Sequence, residues 1–189
     1  IAETQSRECI KSNTIGSLNL LELTADYDLD FNIGISTDKA AIVSGVYGAS
    51  KFLMEALYRQ FEVNYPDTKF RIVRYGNVLY STGSVLCKWK DLLEKGETPI
   101  ITEPKATRFF WTIDQAVDLI WECMLKAEDS SPYVPDMKAM KMGDLLQAMI
   151  NKYSKDKDIK PEVIGLGQGE NLHEKILSDG LSSKDAKKF

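Results

Sequence analysis

The sequence predicts an α/β fold organised around a parallel sheet, and three stretches carry that expectation. Phe31-Asn-Ile33-Gly-Ile35 alternates at the period of a strand, and a run of strong helix formers follows from Ala49 to Tyr58. Phe70-Arg-Ile72-Val73-Arg-Tyr75 then reads as a second strand. Between the first strand and the helix lies a polar cluster, Ser36 to Lys51. In an open α/β sheet ligands bind at that edge, outside the carboxyl ends of the strands.

Taken in order, residues 6–25 predict a helix whose apolar side is Ile10, Ile15, Leu18, Leu21 and Leu23, with Asn13 expected to be structural. Residues 26–30 form an acidic turn before the first strand. The helix bearing Tyr47 runs to about residue 64, where Pro66-Asp67 turns the chain into the second strand, which Gly76-Asn77 ends. A helix over 85–95 is predicted with Gly96 as its C′ residue. Residues 99–102 read as a short strand, and Thr112-Ile-Asp114 starts an amphipathic helix to about residue 127. Tyr133-Val134 is a short strand, 143–153 a helix, 152–160 a charged loop, and 161–164 a last strand. A short helix is expected near His173, and 182–189 is expected to fray.

Composition narrows the function. The 189 residues are 43% hydrophobic, enough for one substantial core, and the net charge of -4 argues against a general nucleic-acid partner. The three cysteines, Cys9, Cys87 and Cys123, are widely spaced and odd in number, which predicts neither a disulfide framework nor a metal site and fits a cytoplasmic location. With one histidine, no His-based metal centre or Ser-His-Asp triad is expected. No apolar run approaches the about 20 residues needed to span a bilayer, so no membrane partner is expected.

The chemistry is concentrated in the polar cluster. Tyr47 and Lys51 are separated by one helical repeat, so they share a face with Cβ atoms roughly 6 Å apart. An ammonium beside a phenol favours phenolate, lowering a pKa of about 10 and making the tyrosine a usable acid or base. Thr37-Asp38-Lys39 either caps the strand end, as Thr and Asp commonly do, or supplies an acid and a base. A lysine acts as a base only where its pKa is lowered.

Tyr47-Gly-Ala-Ser-Lys51, with Ser36-Thr-Asp-Lys-Ala40 before it, resembles the short-chain dehydrogenase/reductases. The resemblance is to the extended branch acting on nucleotide sugars: inverting UDP-N-acetylglucosamine 4,6-dehydratases and capsule-polysaccharide epimerases. Arg74-Tyr-Gly-Asn77-Val, Gly83-Ser-Val, Thr107-Arg108-Phe-Phe-Trp-Thr and Gly169-Glu170-Asn-Leu-His173-Glu174 extend it in order.

The resemblance implies the carboxyl-side part of a Rossmann-type parallel sheet with a small α/β substrate-binding subdomain, divided as 1–78 and 79–189, the latter returning some segments to the Rossmann core. It implies a catalytic set of Thr37, Asp38, Lys39, Tyr47 and Lys51: Tyr47 takes the C4 hydroxyl proton, Lys51 holds the nicotinamide ribose, Lys39 is the C5 base, Asp38 the acid for the C6 hydroxyl, and Thr37 bonds the C4 oxygen. Tyr47, Lys51, Tyr75 and Val78 would bind the cofactor, NADP with NAD not excluded. Asn77, Arg108 and Glu170 would bind a UDP-sugar, although Arg108 also reads as a surface ion pair, and His173 is expected to pack. A homo-oligomer is implied as well.

The chain departs from the family pattern at Thr82, Cys87 and Gly167, where two cations and a proline are replaced, and it has no Gly-x-Gly-x-x-Gly turn after a strand. Because it starts at Ile1, a preceding cofactor-binding half is expected. A UDP-sugar 4- or 5-epimerase is the nearest alternative, and a truncated, non-catalytic homologue the alternative outside enzymes.

Overall fold

β1 (Phe31–Thr37) and β2 (Lys69–Tyr75) lie parallel through their whole length in the computed structural model, from Phe31 opposite Lys69 to Thr37 opposite Tyr75. The structure describes residues 2–27, 29–134, 136–177 and 183. Parallel strands need a crossover, and α3 (Val46–Asn64) provides it. β6 (Pro132–Tyr133) joins the other side of β2, giving the order β1-β2-β6.

The buried face of α3 decides how it sits. Met54, Tyr58 and Phe61 pack with Leu21, Phe70 and Ile72, each burial contributing roughly 1.5–3 kcal/mol. Gly34 in β1 makes room for the Tyr58 ring, since a Cβ there would lie 2.9 Å from it, and the Tyr58 hydroxyl donates to Asn32 at 2.8 Å. The first helical segment has three parts: α1 (Ser6–Ile10), a π-helical turn (Lys11–Ile15) and α2 (Gly16–Ala25). That turn carries Asn13, whose amide donates to Ser50 of α3 at 3.0 Å, as its expected structural part requires.

Beyond β3 (Asn77–Val78), α4 (Val85–Lys95) ends at Gly96, whose left-handed φ of 76° closes the helix. Next come β4 (Ile100–Ile101), β5 (Thr107–Trp111) and α5 (Ile113–Lys126), which starts with a Thr112–Gln115 capping box. β7 (Ala139–Lys141), α6 (Met142–Tyr153) and β8 (Glu162–Val163) complete the elements. A second sheet runs β3-β5-β7, with β5 antiparallel to β7, and β4 pairs with β8. Trp89, Leu93, Phe110, Leu146 and Ile150 form the core between α4, α6 and this sheet. α5 and β6 return to the first sheet, where Leu119 and Cys123 pack on Val73.

The expected helix near His173 is not formed. Residues 172–173 instead run beside β5, with Thr107 N donating to the Leu172 carbonyl at 3.0 Å and a parallel bridge from Thr107 to His173. Of the tail expected to fray, only Ser183 lies among the described residues, and it is buried, bonded to Thr107 and to the backbone of Glu174. Asp28 in the acidic turn also lies outside the described residues. Among the described residues, no helix is long and apolar enough to cross a membrane.

Candidate functional site

At the carboxyl end of β1 the chain turns through a single 3₁₀ turn, Asp38–Ala40, and Thr37 caps it by accepting from Lys39 N. This places three consecutive polar side chains at the mouth of the sheet. The Asp38 carboxylate is buried, 1% exposed, and its Oδ1 accepts from the Thr37 hydroxyl at 2.8 Å and from the Lys39 amine at 3.1 Å. Its Oδ2 is buried with no partner. A buried oxygen of this kind is costly unless a ligand or a proton satisfies it.

α3 approaches this turn closely because Gly48 has no side chain. A Cβ there would lie 2.2 Å from the Lys39 carbonyl oxygen. At the head of the helix, Glu3 accepts from Val46 N at 2.8 Å, supplying the cap that Gly45 cannot. The result brings Tyr47 against Thr37, Asp38 and Lys39. Burial pushes the Tyr47 phenol up; the Lys39 ammonium and a hydrogen bond with Thr37 favour phenolate, while Asp38 opposes it. The phenol therefore ends above its ordinary range.

Two sequence expectations need correction here. The cation acting on Tyr47 is Lys39, because the Lys51 amine turns to the Ile35 carbonyl at 2.8 Å and towards Met54 Sδ. Burial pulls Lys51 itself down. Nor does the site lower the proton affinity of Lys39: burial pulls its amine down, but Asp38 and Glu174 outweigh that, and the group rests above its usual range. Lys39 therefore stands as an ammonium, the opposite of what a resting base requires.

Beside the turn opens a cavity of about 380 Å³, lined by Lys39, Asn77, Val78, Arg108, Glu170 and Glu174 among others. Four of these, Asn77, Val78, Arg108 and Glu170, were predicted from sequence as cofactor or substrate contacts, on three separate motifs. Thr37, Asp38, Tyr47 and Lys51 do not line it, so Lys39 is the residue common to the acid–base cluster and the cavity. Tyr75 stands apart from the cavity as well, half-buried, its phenol pushed up by burial and further by the nearby Tyr47.

Arg108 is not a surface ion pair. It is buried in β5, donates to the carbonyls of Thr107 and Leu172, and faces Glu174 at 3.9 Å. Glu170 is exposed and closes its own loop by accepting from Gly167 N at 2.9 Å. His173 bonds Thr107 at 2.8 Å, in keeping with a packing residue.

Glu174 ends the Gly169–Glu174 motif, from which no role for it is expected, yet it is 2% exposed and lies 3.8 Å from Lys39. Its place in the site depends on the C-terminal segment crossing back over β5, which local sequence does not encode. Behind the site, Glu55 of α3 holds Arg74 of β2 in a buried two-point pair at 2.9 and 2.6 Å and accepts from Ser36. Arg74 also donates to the Ile176 carbonyl, tying the segment after Glu174 to the same point.

Comparison with known proteins agrees with this architecture. The polysaccharide biosynthesis protein family matches residues 1–189. The chain is 34% identical over 180 residues to the capsular polysaccharide biosynthesis protein CapD of Staphylococcus aureus, covering 94% of this chain and 30% of that one. It is 31% identical over 181 residues to an inverting UDP-N-acetylglucosamine 4,6-dehydratase of Campylobacter jejuni, covering 94% and 52%. The X-ray structure of Pen from Bacillus thuringiensis superposes with a TM-score of 0.88 at 28% identity, over 93% of this chain and 56% of that one. The chain thus spans about half or less of the length of these relatives. On the match along its whole length, the chain belongs to the polysaccharide biosynthesis protein family.

Proposed function

We propose that the protein is a nucleotide-sugar 4,6-dehydratase of the UDP-N-acetylglucosamine, C5-inverting type, working with NADP to make precursors of surface polysaccharides or glycans. The observation that carries this reading is the Asp38–Lys39 pair at the sheet mouth, a half-buried amine on a buried carboxylate whose other oxygen is unpartnered among the described residues. Once a sugar is a ketone at C4, dehydration needs a base for the C5 proton and an acid for the departing C6 hydroxyl.

Transfer of one proton across the 3.1 Å hydrogen bond turns the resting ion pair into an amine and a carboxylic acid. Expulsion of water by a bound sugar favours that neutral pair, because a dry site penalises separated charges. Lys39 then takes the C5 proton, the C5 electron pair forms the C5–C6 double bond, and the C6 hydroxyl leaves as water with the Asp38 proton. The pair is returned to ammonium and carboxylate, its resting state. Tyr47 rests as a phenol, so it must first give its own proton to solvent; as phenolate, facing the Lys39 ammonium, it then receives the C4 hydroxyl proton, with Thr37 bonded to the same oxygen.

Tyr47, Lys51, Tyr75 and Val78 are the residues that would hold the cofactor. They fit one: the Lys51 ammonium has three donors and spends a single strong hydrogen bond on Ile35, leaving capacity for ribose hydroxyls at the sheet edge. A nicotinamide bound there would supply what the side chains lack, reversible hydride removal from C4 and return to C6. Asn77 and Arg108 are the candidates for the diphosphate and Glu170 for the sugar side, within the subdomain that residues 79–189 mainly form. Leu20, Leu23 and Val63, exposed on α2 and α3, support a homo-oligomer.

The resting charge of Lys39 favours a second reading, a UDP-sugar 4-epimerase, since that reaction needs no base at C5. Incubating the full-length protein with UDP-N-acetylglucosamine and weighing the product distinguishes the two. A product lighter by one water supports dehydration, and a C4 epimer of unchanged mass selects the epimerase.

A further inference from the structure

Glu174 is the most heavily restrained carboxylate beside the cavity, and none of the steps above uses it. Its Oε1 lies 3.8 Å from Lys39 Nζ and 3.9 Å from Arg108 Nε, and its Oε2 accepts from Asn171 at 3.2 Å. The backbone is fixed too: Glu174 N donates to Ser183 Oγ at 2.8 Å and its carbonyl accepts from Ser183 N at 2.7 Å. Ser183 in turn bonds Thr107, the neighbour of Arg108 on β5. Asn171 also donates to Ser44, in the loop between Lys39 and α3. A carboxylate 2% exposed is costly unless paired, and here both charges that face it belong to the cavity wall.

We propose that Glu174 is a positioning residue that tethers the Lys39 amine and the Arg108 guanidinium to one carboxylate oxygen, holding both at the cavity wall. The inference rests on the reading that Lys39 carries acid–base chemistry, and it adds the group that decides where that amine stands. Without it, Lys39 has one carboxylate partner among the described residues, its chain neighbour Asp38, which lies on the turn and does not line the cavity. The groups that face Lys39 are Asp38 on its own turn, Glu174 on the C-terminal segment, Arg108 on β5 and Tyr47 on α3. Of the two carboxylates, Glu174 is the one that lines the cavity. Its sharing between an amine and a guanidinium also links the two ends of the substrate site, because an anion engaging Arg108 competes for the charge that Glu174 now faces.

The test is a titration of Lys39 in full-length protein carrying ¹³C-labelled lysine, read by NMR in wild type and Glu174→Gln, with the Lys39 signal assigned by its loss in Lys39→Met. Removing the carboxylate is expected to move the Lys39 midpoint to lower pH and to change the shift of its Cε signal. An unchanged midpoint in a folded Glu174→Gln protein overturns the proposal, since a merely structural carboxylate would alter stability alone. Should Glu174→Gln fail to fold, Glu174→Asp keeps the charge but withdraws it by one methylene, and the same downward direction is expected, with an unmoved midpoint overturning it. The readout needs no turnover, so failure of the dehydratase reading shows in the product assay and not in this titration.

Discussion

The Lys39 amine donates to Asp38 Oδ1 at 3.1 Å while the other oxygen of the same carboxylate is buried and unpartnered. One side of the carboxylate thus holds a cation, and on the proposed function the other takes the substrate hydroxyl once the buried turn opens to it. Replacing Asp38 with Asn keeps the shape and removes the transferable proton. Turnover of the full-length protein is expected to fall by about 10²–10⁴-fold, the usual worth of a positioned acid or base. Steady-state kinetics on UDP-N-acetylglucosamine check it, and a change confined to KM would count against the acid role.

Tyr47 is held by the opposing charges around it. Lys39 favours the phenolate and burial disfavours it, so Lys39→Met is expected to move the Tyr47 titration to still higher pH. Ultraviolet difference absorbance, with Tyr47→Phe subtracted to isolate one phenol, measures this. Lys51→Met is expected to move it less, since the Lys51 amine points to the Ile35 carbonyl.

The Glu55–Arg74 pair anchors α3 to β2 and to the segment that follows Glu174. Arg74→Met leaves a buried carboxylate with Ser36 and the more distant Arg59 at 3.8 Å as its remaining partners. About 3–5 kcal/mol of unfolding free energy is expected to be lost. Urea denaturation measures it, and the Arg74→Met/Glu55→Leu double variant is expected to recover part of the loss.

Gly48→Ala probes how closely the helix meets the turn. The added Cβ would lie 2.2 Å from a backbone oxygen that cannot rotate away, so α3 or the turn must shift. Overpacking of this kind costs roughly 1–3 kcal/mol. The variant is expected to lose activity beyond its loss of stability, because the same shift separates Tyr47 from Lys39; thermal melts and rates on one preparation compare the two.

Much of this was legible in the sequence where local rules govern. The strands around Ile33 and Ile72, the Tyr47 helix and the Gly96 stop follow from periodicity and from the left-handed freedom of glycine. β5 was missed because every residue from Thr107 to Trp111 is buried, which removes the two-residue alternation that marks a half-exposed strand. The Tyr47–Lys51 spacing was right, yet it fixes a face and not the direction of a long side chain, so the cation beside the phenol proved to be Lys39. Glu174 reaches Lys39 only through the crossing of its segment over β5, a contact between distant parts of the chain.

The most direct measurement is the fate of the C5 hydrogen. With UDP-N-acetylglucosamine and the full-length protein in heavy water, the account predicts a C6 methyl product that carries solvent deuterium at C5, and loss of that label in Lys39→Met. A product that keeps its original C5 hydrogen and its C6 hydroxyl would contradict it.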